Sequence, residues 1–191
     1  MGVTRDRYVV DDWGVGDVWV EDGILLAHDL TFSAAAADGV GRSSNTPLSG
    51  PKTPSPNGGT RPPTGTLVAQ ASRERAGLVP DLCRRFTAHL AGERASYTDV
   101  EVNEDWCTPF QAELLRALRA VPWGEVVSYG ELAALAGRPG AARAAGSFCA
   151  SNRFALVVPC HRVVAADGIG GYGSSGVGTK RRLLALEGVR L

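Results

Sequence analysis

The chain has 191 residues, of which 44% are hydrophobic and 21% charged, and its formal net charge is zero. These values are typical of a soluble globular protein with one large or two small domains. No apolar run approaches the roughly 20 residues that a membrane helix requires. The N-terminus lacks a signal-peptide core, and Asp6 stands where a myristoylation signal needs Ser or Thr. We therefore expect a cytoplasmic protein without a membrane partner.

Residues 8–30 predict a β-hairpin. An alternating segment, residues 15–20, leads into the turn signal Glu21-Asp22-Gly23, and an apolar segment follows it. The next segment, residues 34–65, contains six prolines and many Gly and Ser residues. Such a composition cannot bury enough apolar surface to offset its ordering entropy, so we predict a disordered insert.

A helix is predicted after the insert, with Pro80 in its first turn and Gly92 at its end. Its apolar face consists of Leu82, Phe86 and Leu90. Residues 96–102 then predict a strand. We assign residues 1–105 to a small N-terminal α/β domain with an antiparallel sheet, which acts as a scaffold.

A second unit begins near Trp106, and we assign residues 106–191 to a mainly helical C-terminal domain. Thr108 and Gln111 have the spacing of a capping box, with Pro109 at the first helical position. The buried face of this helix is predicted to consist of Phe110, Leu114, Leu118 and Val121.

Two short helices are predicted next. Ser128 and Glu131 form a second capping box, and the helix they open ends at Gly137. Pro139 is predicted to start the following helix, which runs to about Ala150. Two short helices joined by a tight turn indicate a helix-turn-helix of the winged-helix-like kind.

The second of these helices has small residues around one long side chain, Arg143. The small residues are Gly140, Ala141, Ala142, Ala144, Ala145 and Gly146. They fit either a helix packed tightly against the core or a helix that approaches nucleic acid closely, and composition leaves both open.

The C-terminal half carries an excess of positive charge. From residue 106 onward there are ten Lys and Arg residues and five acidic residues, a net charge of +5, which favours a polyanionic partner.

Residues 156–168, LVVPCHRVVAADG, place Cys160 beside His161 between segments that read as buried strand. A thiol needs a nearby base or cation to become a nucleophilic thiolate. Neighbours on a strand point to opposite faces, so His161 can serve as that base only if the backbone turns, as Pro159 allows, or if a water carries the proton. A basic histidine also needs an orienting carboxylate, and Glu187 is a candidate because a helix C-terminus disfavours an acid.

The alternative interpretation of this motif is a packed cysteine and a histidine that satisfies a backbone carbonyl. The local signatures of papain-like and caspase-like hydrolases do not occur. The cysteines and the three histidines are widely spaced, so we expect free thiols and no metal site.

Residues 106–191 resemble the O6-alkylguanine-DNA alkyltransferases, the methylated-DNA–protein-cysteine methyltransferases. The resemblance lies in VPWGEVVSYGELAALAG, NRFALVVPCHRVVAADGIGGYG and KRRLLALEG. It implies an α+β fold and repair of O6-methylguanine, with O4-methylthymine as a second candidate, by one irreversible alkyl transfer. It implies no cofactor, and as partner it implies double-stranded DNA that contains O6-alkylguanine, bound by a monomer.

The resemblance also implies residue roles in the transfer. Cys160 would accept the alkyl group, and His161 would draw its proton through a water, polarised by Glu187. Asn152 would tie the turn before the cysteine to the helix-turn-helix.

Other residues would bind DNA and the base. Arg143 would replace the flipped nucleotide in the stack, with Ala142 and Gly146 of the same helix in the minor groove. Tyr129 would contact both the phosphate and the guanine. The guanine pocket would also be lined by Val163, Tyr172 and Gly173.

Two other functions stay open at this point. A lesion-binding module without transfer is disfavoured because Cys160 is present. A hydrolase using Cys160 and His161 would have to turn over an activated ester.

Overall fold

The computed structural model describes residues 2–32 and 65–191, the latter with side chains from residue 77 onward. The insert predicted at 34–65 lies outside the described residues except for Gly65. None of the helices described is long and apolar enough to cross a membrane.

The N-terminal half forms a three-stranded antiparallel sheet in the order β1-β2-β3. The strands are β1 (Thr4–Val10), β2 (Gly14–Glu21) and β3 (Ile24–Phe32). The predicted hairpin is confirmed: β2 and β3 pair across a turn in which Asp22 and Gly23 both have positive φ. Strand β1 was not predicted because its residues are mostly exposed and polar, and pairing with β2 decides its conformation.

Helix α1 (Gly65–Leu90) packs against this sheet and buries the predicted apolar face. The prediction that Pro80 lies in its first turn is wrong, because the helix begins earlier and Pro80 lies inside it. A proline removes one backbone donor and disfavours a helix interior. Burial of residues on both sides of Pro80, including Val79 and Leu82, favours continuation of the helix.

The strand predicted at 96–102 is also wrong. The backbone turns instead, with the Val100 N–H donating to the Tyr97 carbonyl at 3.1 Å. The Arg119 guanidinium donates to both of these residues' carbonyls, at 2.7 and 2.8 Å, so these groups are not available to a sheet. Of this segment, Val102 alone forms a bridge, with Leu25 of β3.

The C-terminal half consists of α2 (Pro109–Arg119), α3 (Tyr129–Leu135), α4 (Ala142–Ala150) and α5 (Gly176–Leu186), with a parallel pair β4 (Val127–Ser128) and β5 (Val163–Val164). Both predicted capping boxes are confirmed, at Thr108 and Ser128. Helix α4 begins at Ala142 and not at Pro139, because Gly140 has a φ of +90°, which an α-helix excludes. The α+β fold class is therefore confirmed.

The free edge of β3 joins the two halves. The backbone N–H of His28 donates to the Arg153 carbonyl at 2.8 Å, and the His28 Nδ1 lies 2.6 Å from the Ala155 carbonyl. The N-terminal sheet thereby fixes the turn that leads to Cys160.

Candidate active site

The backbone turns at the cysteine. Residues Cys160–Arg162 form one 3₁₀ turn, followed by β5. The strand expected at 156–158 is wrong, because Leu156 adopts a positive φ of 68°, outside the β region. The strand expected at Val163 and Val164 is confirmed. The backbone also turns at Cys160, which is one of the two conditions under which His161 could serve as its base.

Asn152 lies directly against the sulfur. Its Nδ2 group donates to the Cys160 Sγ at 3.1 Å and to the Val158 carbonyl at 2.8 Å, while its Oδ1 accepts from the Phe154 N–H at 3.0 Å. One side chain therefore connects the end of α4 with the turn that carries the cysteine.

Burial raises the pKa of the Cys160 thiol, and the Asn152 hydrogen bond and the charge of Lys180 oppose this rise. The thiol is therefore protonated at neutral pH and needs a base to become nucleophilic.

Glu187 supplies the orienting carboxylate at the C-cap of α5. Its Oε1 lies 2.8 Å from the His161 Nε2, and Arg162 donates to both of its oxygens at 2.8 and 2.9 Å. The Gly124 N–H also donates to Oε2 at 3.2 Å. Burial works to raise the pKa of Glu187, but the hydrogen bonds from His161 and Arg162 and the nearby His89 imidazole outweigh it and hold the pKa far below its usual range.

His161 is fully buried and neutral at physiological pH. Burial lowers its pKa to about 4, although the hydrogen bond with Glu187 works in the opposite direction. With the proton on Nε2 facing the carboxylate, Nδ1 carries the free lone pair, and no side chain or backbone group in the described residues bonds to it. His161 is thus a neutral base that is oriented at one nitrogen and has a buried nitrogen without a hydrogen bond at the other.

Lys180 is fully buried near the cysteine and was not predicted. Its Nζ donates to the carbonyls of Val163 and Gly171 and lies 5.9 Å from the centre of the Tyr129 ring. No sequence pattern indicated its role, because Lys180-Arg181-Arg182 resembles an ordinary solvent-exposed basic run. Its ammonium group stabilises negative charge on the nearby sulfur.

A cavity of about 120 Å³ opens at the sulfur. Four of the predicted site residues line it: Cys160, Asn152, Tyr172 and Gly173. Burial, and to a smaller extent the neighbouring Cys160, raise the pKa of the Tyr172 hydroxyl well above its usual value. The opposite wall comes from β3 of the N-terminal half.

The residues predicted to bind DNA and the base on α3, α4 and β5 do not line this cavity, and these include Tyr129 and Val163, which were predicted to line the guanine pocket. Tyr129 is half-buried, and a Cβ at Gly146 would lie 3.9 Å from its ring. Val163 is buried and contributes its carbonyl to Lys180. Arg143 is exposed on α4, and Ala142 is half-buried at the start of the same helix.

His89, His161 and Glu187 each offer one metal-ligand atom, all within 4.8 Å of one another. The Arg162 guanidinium already neutralises this carboxylate with two hydrogen bonds. A divalent cation would be repelled by that guanidinium, so we assign no metal to the cluster. The expectation of a protein without a metal stays a prediction.

Three comparisons with known proteins bear on this site. The family model of the 6-O-methylguanine DNA methyltransferase DNA-binding domain matches residues 109–189. A curated methylated-DNA–protein-cysteine methyltransferase of Mycolicibacterium paratuberculosis is 43% identical over 129 residues, 67% of this chain and 74% of the relative. One from Salmonella typhimurium is 53% identical over 85 residues, which span 44% of this chain and about half (49%) of that relative.

Among solved structures, a crystal structure of Mycobacterium tuberculosis OGT in complex with DNA is similar at a TM-score of 0.64 and 30% identity. The match covers 94% of this chain and 89% of that chain.

Proposed function

This chain belongs to the methylated-DNA–protein-cysteine methyltransferase family, and on that premise we propose that it repairs DNA by direct reversal. It transfers the alkyl group of O6-methylguanine to its own Cys160. The observation that carries this proposal is the arrangement around the Cys160 turn. The thiol lines a cavity, the neutral His161 is the next residue, and the Glu187 carboxylate at the end of α5 lies 2.8 Å from that imidazole.

The reaction is a displacement at carbon. The Cys160 sulfur attacks the alkyl carbon, and a sulfur–carbon bond forms as the bond from that carbon to guanine O6 breaks. The thiol proton passes through a water to the His161 Nδ1, and Glu187 stabilises the resulting imidazolium. The departing guanine anion takes up a proton, which leaves unmodified guanine in DNA and a thioether on the protein.

Each molecule acts once, because a thioether has no leaving group that thiol–disulfide exchange could displace. Asn152 donates to the sulfur and holds it toward the cavity, and Lys180 stabilises its developing negative charge. No cofactor is needed for this sequence of bonds.

The alkyl group lies on a base inside a duplex, so the nucleotide has to be extruded into the cavity. Unstacking costs on the order of a few kcal/mol, which phosphate contacts of the basic C-terminal half offset. The exposed Arg143 on α4 would fill the gap in the stack, and the small residues Ala142 and Gly146 would allow close approach of the helix to the minor groove. Tyr129, Val163, Tyr172 and Gly173 would surround the flipped base.

We infer a cytoplasmic monomer in which residues 1–105 are a scaffold for residues 106–191. O4-methylthymine is a second candidate substrate, since it also carries its methyl group on an exocyclic oxygen.

The test is the intact mass of the protein after incubation with duplex DNA that contains one O6-methylguanine. We expect the mass of one CH₂ to be added, on the peptide that contains Cys160, and no further addition with excess substrate. The matched control is Cys149→Ala, because Cys149 lines the same cavity but its pKa is raised to about 12 by burial. This variant should be methylated like the unsubstituted protein, whereas Cys160→Ala should gain nothing.

An unmodified protein after prolonged incubation would overturn the proposal. Tight binding of the lesion without transfer would instead support a non-catalytic lesion-binding module. Sustained hydrolysis of an activated ester that depends on Cys160 would support a hydrolase.

A further inference from the structure

A second histidine reaches the carboxylate of the proposed relay from the other half of the chain. His89, in the last turn of α1, is fully buried, and its Nε2 lies 3.6 Å from the Glu187 Oε1. The same oxygen is bonded to the His161 Nε2 at 2.8 Å. At 3.6 Å the His89 contact is longer than a hydrogen bond and acts as a charge–dipole interaction. Nothing that the resemblance implied involves this residue.

The surroundings of His89 determine which of its nitrogens carries the proton. Its Nδ1 lies 3.2 Å from the Tyr97 hydroxyl, whose one proton can be donated either to this nitrogen or to the Arg85 carbonyl at 3.3 Å. A bare Nε2 would direct its lone pair at the Glu187 carboxylate, which is electrostatically unfavourable. With the proton on Nε2, the N–H points at Oε1 and both nitrogens have a favourable neighbour.

The position of Glu187 does not depend on His89. Arg162 donates to both carboxylate oxygens and the Gly124 N–H donates to one, so the group is held without a further donor. Removing the His89 N–H therefore changes how strongly Oε1 attracts the proton of His161, while the geometry stays the same.

Building on the proposed function, we propose that His89 is a positioning residue that acts through Glu187: it shares Oε1 with His161 and keeps His161 in the neutral form that accepts the thiol proton. A carboxylate paired with a buried imidazole favours the imidazolium, which cannot serve as a base. A second N–H directed at the same oxygen weakens that preference.

The charged and titratable groups that face His161 are few in the described part of the chain. Glu187 approaches from α5, Arg162 and Cys160 come from its own turn, and His89 comes from α1. Glu187 favours the imidazolium, while Arg162 and His89 disfavour it. His89 is the group in this set that belongs to the N-terminal half, so that half contributes to the chemistry and not only to the scaffold.

The test compares His89→Leu, which keeps the apolar volume, with His89→Gln, whose side-chain amide keeps a donor toward Glu187. The single-turnover rate of alkyl transfer is measured from pH 4.5 to 8.5 with free O6-benzylguanine, which removes DNA binding from the readout. The transfer rate falls at low pH as His161 becomes protonated. In His89→Leu the midpoint of this fall, the acid limb of the pH–rate profile, should move from near pH 4 to near pH 5. The rate at pH 4.5 should therefore fall about threefold, while the rate at pH 8 stays unchanged. His89→Gln should restore the original limb.

A purely structural role would lower the rate equally at every pH, and that result would overturn the inference. Identical acid limbs in the two variants would overturn it as well. Absence of transfer by the unsubstituted protein at pH 8 would instead count against the proposed function itself.

A measurement on the unsubstituted protein keeps the inference testable if the leucine variant does not fold. Long-range ¹H–¹⁵N NMR spectra of histidine-labelled protein report which imidazole nitrogen carries the proton. A His89 with its proton on Nε2 supports the assignment, and a proton on Nδ1 with a bare Nε2 refutes it.

Discussion

The Asn152 side chain donates hydrogen bonds both to the Cys160 sulfur, at 3.1 Å, and to the Val158 carbonyl two residues before it, at 2.8 Å. The amide thus sets the position of the sulfur and stabilises negative charge on it. Both effects are lost together when the amide is removed.

Asn152→Ala should slow alkyl transfer by about tenfold to a hundredfold, because the Cys160 thiolate loses a hydrogen-bond donor. Without that donor, less opposes the rise of the thiol pKa on burial. The free energy of unfolding should fall by about 1–3 kcal/mol, since the Val158 carbonyl loses its partner. Single-turnover kinetics and denaturant unfolding measure the two effects. Asn103→Ala, which removes an exposed amide that bonds to Asp105, is the matched control and should change neither. An unchanged transfer rate in Asn152→Ala would contradict this role.

Lys180→Met should raise the pKa of the Cys160 thiol and slow transfer by about tenfold, because a buried positive charge near the sulfur is removed. The pH dependence of thiol alkylation by a small electrophile gives the first effect, and single-turnover kinetics give the second. Arg181→Met is the control, since Arg181 is the exposed neighbour on the same helix. If both variants react like the unsubstituted protein, Lys180 has a structural role only, as a hydrogen-bond donor to the carbonyls of Val163 and Gly171.

Arg143→Ala should slow repair of O6-methylguanine in duplex DNA strongly, about a hundredfold, while the reaction with free O6-benzylguanine stays within about twofold. Extrusion of a nucleotide costs a few kcal/mol, and only the duplex substrate requires it. The measurement is the transfer rate of each variant on duplex DNA and on free O6-benzylguanine, with the loss on one substrate compared with the loss on the other. Arg116→Ala removes an exposed arginine of α2 that pairs with Glu113, and it provides a control for loss of positive charge. Equal losses on both substrates would indicate a structural role.

Stability should fall as the pH is lowered from about 6.5 to 4, because His28 and His161 are buried in the neutral form. Burial is the main cause that lowers the pKa of each to about 4, whereas the unfolded value is about 6.5. The unfolded state therefore binds more protons in this window, and stabilisation present above pH 6.5 is lost as the pH falls toward 4.

Each histidine contributes up to about 1.4 kcal/mol per pH unit to the slope of the free energy of unfolding against pH. Urea unfolding at a series of pH values measures it, and His28→Gln should reduce the slope by about half. A slope that is the same with and without His28 would show that other groups govern acid unfolding.

Glu187→Gln should destabilise the protein by about 3–5 kcal/mol, because it leaves the buried Arg162 guanidinium without its counter-charge. Transfer should slow as well, since a neutral amide stabilises the His161 imidazolium far less. Thermal unfolding and single-turnover kinetics are the measurements. Glu113→Gln, which removes an exposed ion pair with Arg116, should cost less than about 1 kcal/mol and leave transfer intact. A stable Glu187→Gln variant with normal transfer would refute the proposed relay.

Elements with a local cause could be predicted from the sequence. The capping boxes at Thr108 and Ser128 depend on residues three positions apart, and the β2–β3 turn depends on adjacent residues with positive φ. Strand β1 and the turn at 96–102 could not be predicted in this way, because pairing with β2 and the carbonyl contacts of Arg119 decide their conformations.

The site shows the same division. Cys160, His161, Asn152 and Glu187 were proposed from a motif and a resemblance, and the structure brings them together. Arg162, Lys180 and His89 were missed because their types and positions in the sequence are unremarkable. A basic residue is expected at a surface, and only a folded chain reveals that it is buried.

By itself, the sequence determined the reactive dipeptide Cys160-His161, the short capped helices and the α+β class, since these depend on residue types and on contacts between near neighbours. Only the tertiary structure decided that Glu187 is shared among His161, Arg162 and His89. The physical reason is that these contacts join groups 25 to 98 positions apart, and their strength depends on common burial, which no local pattern encodes.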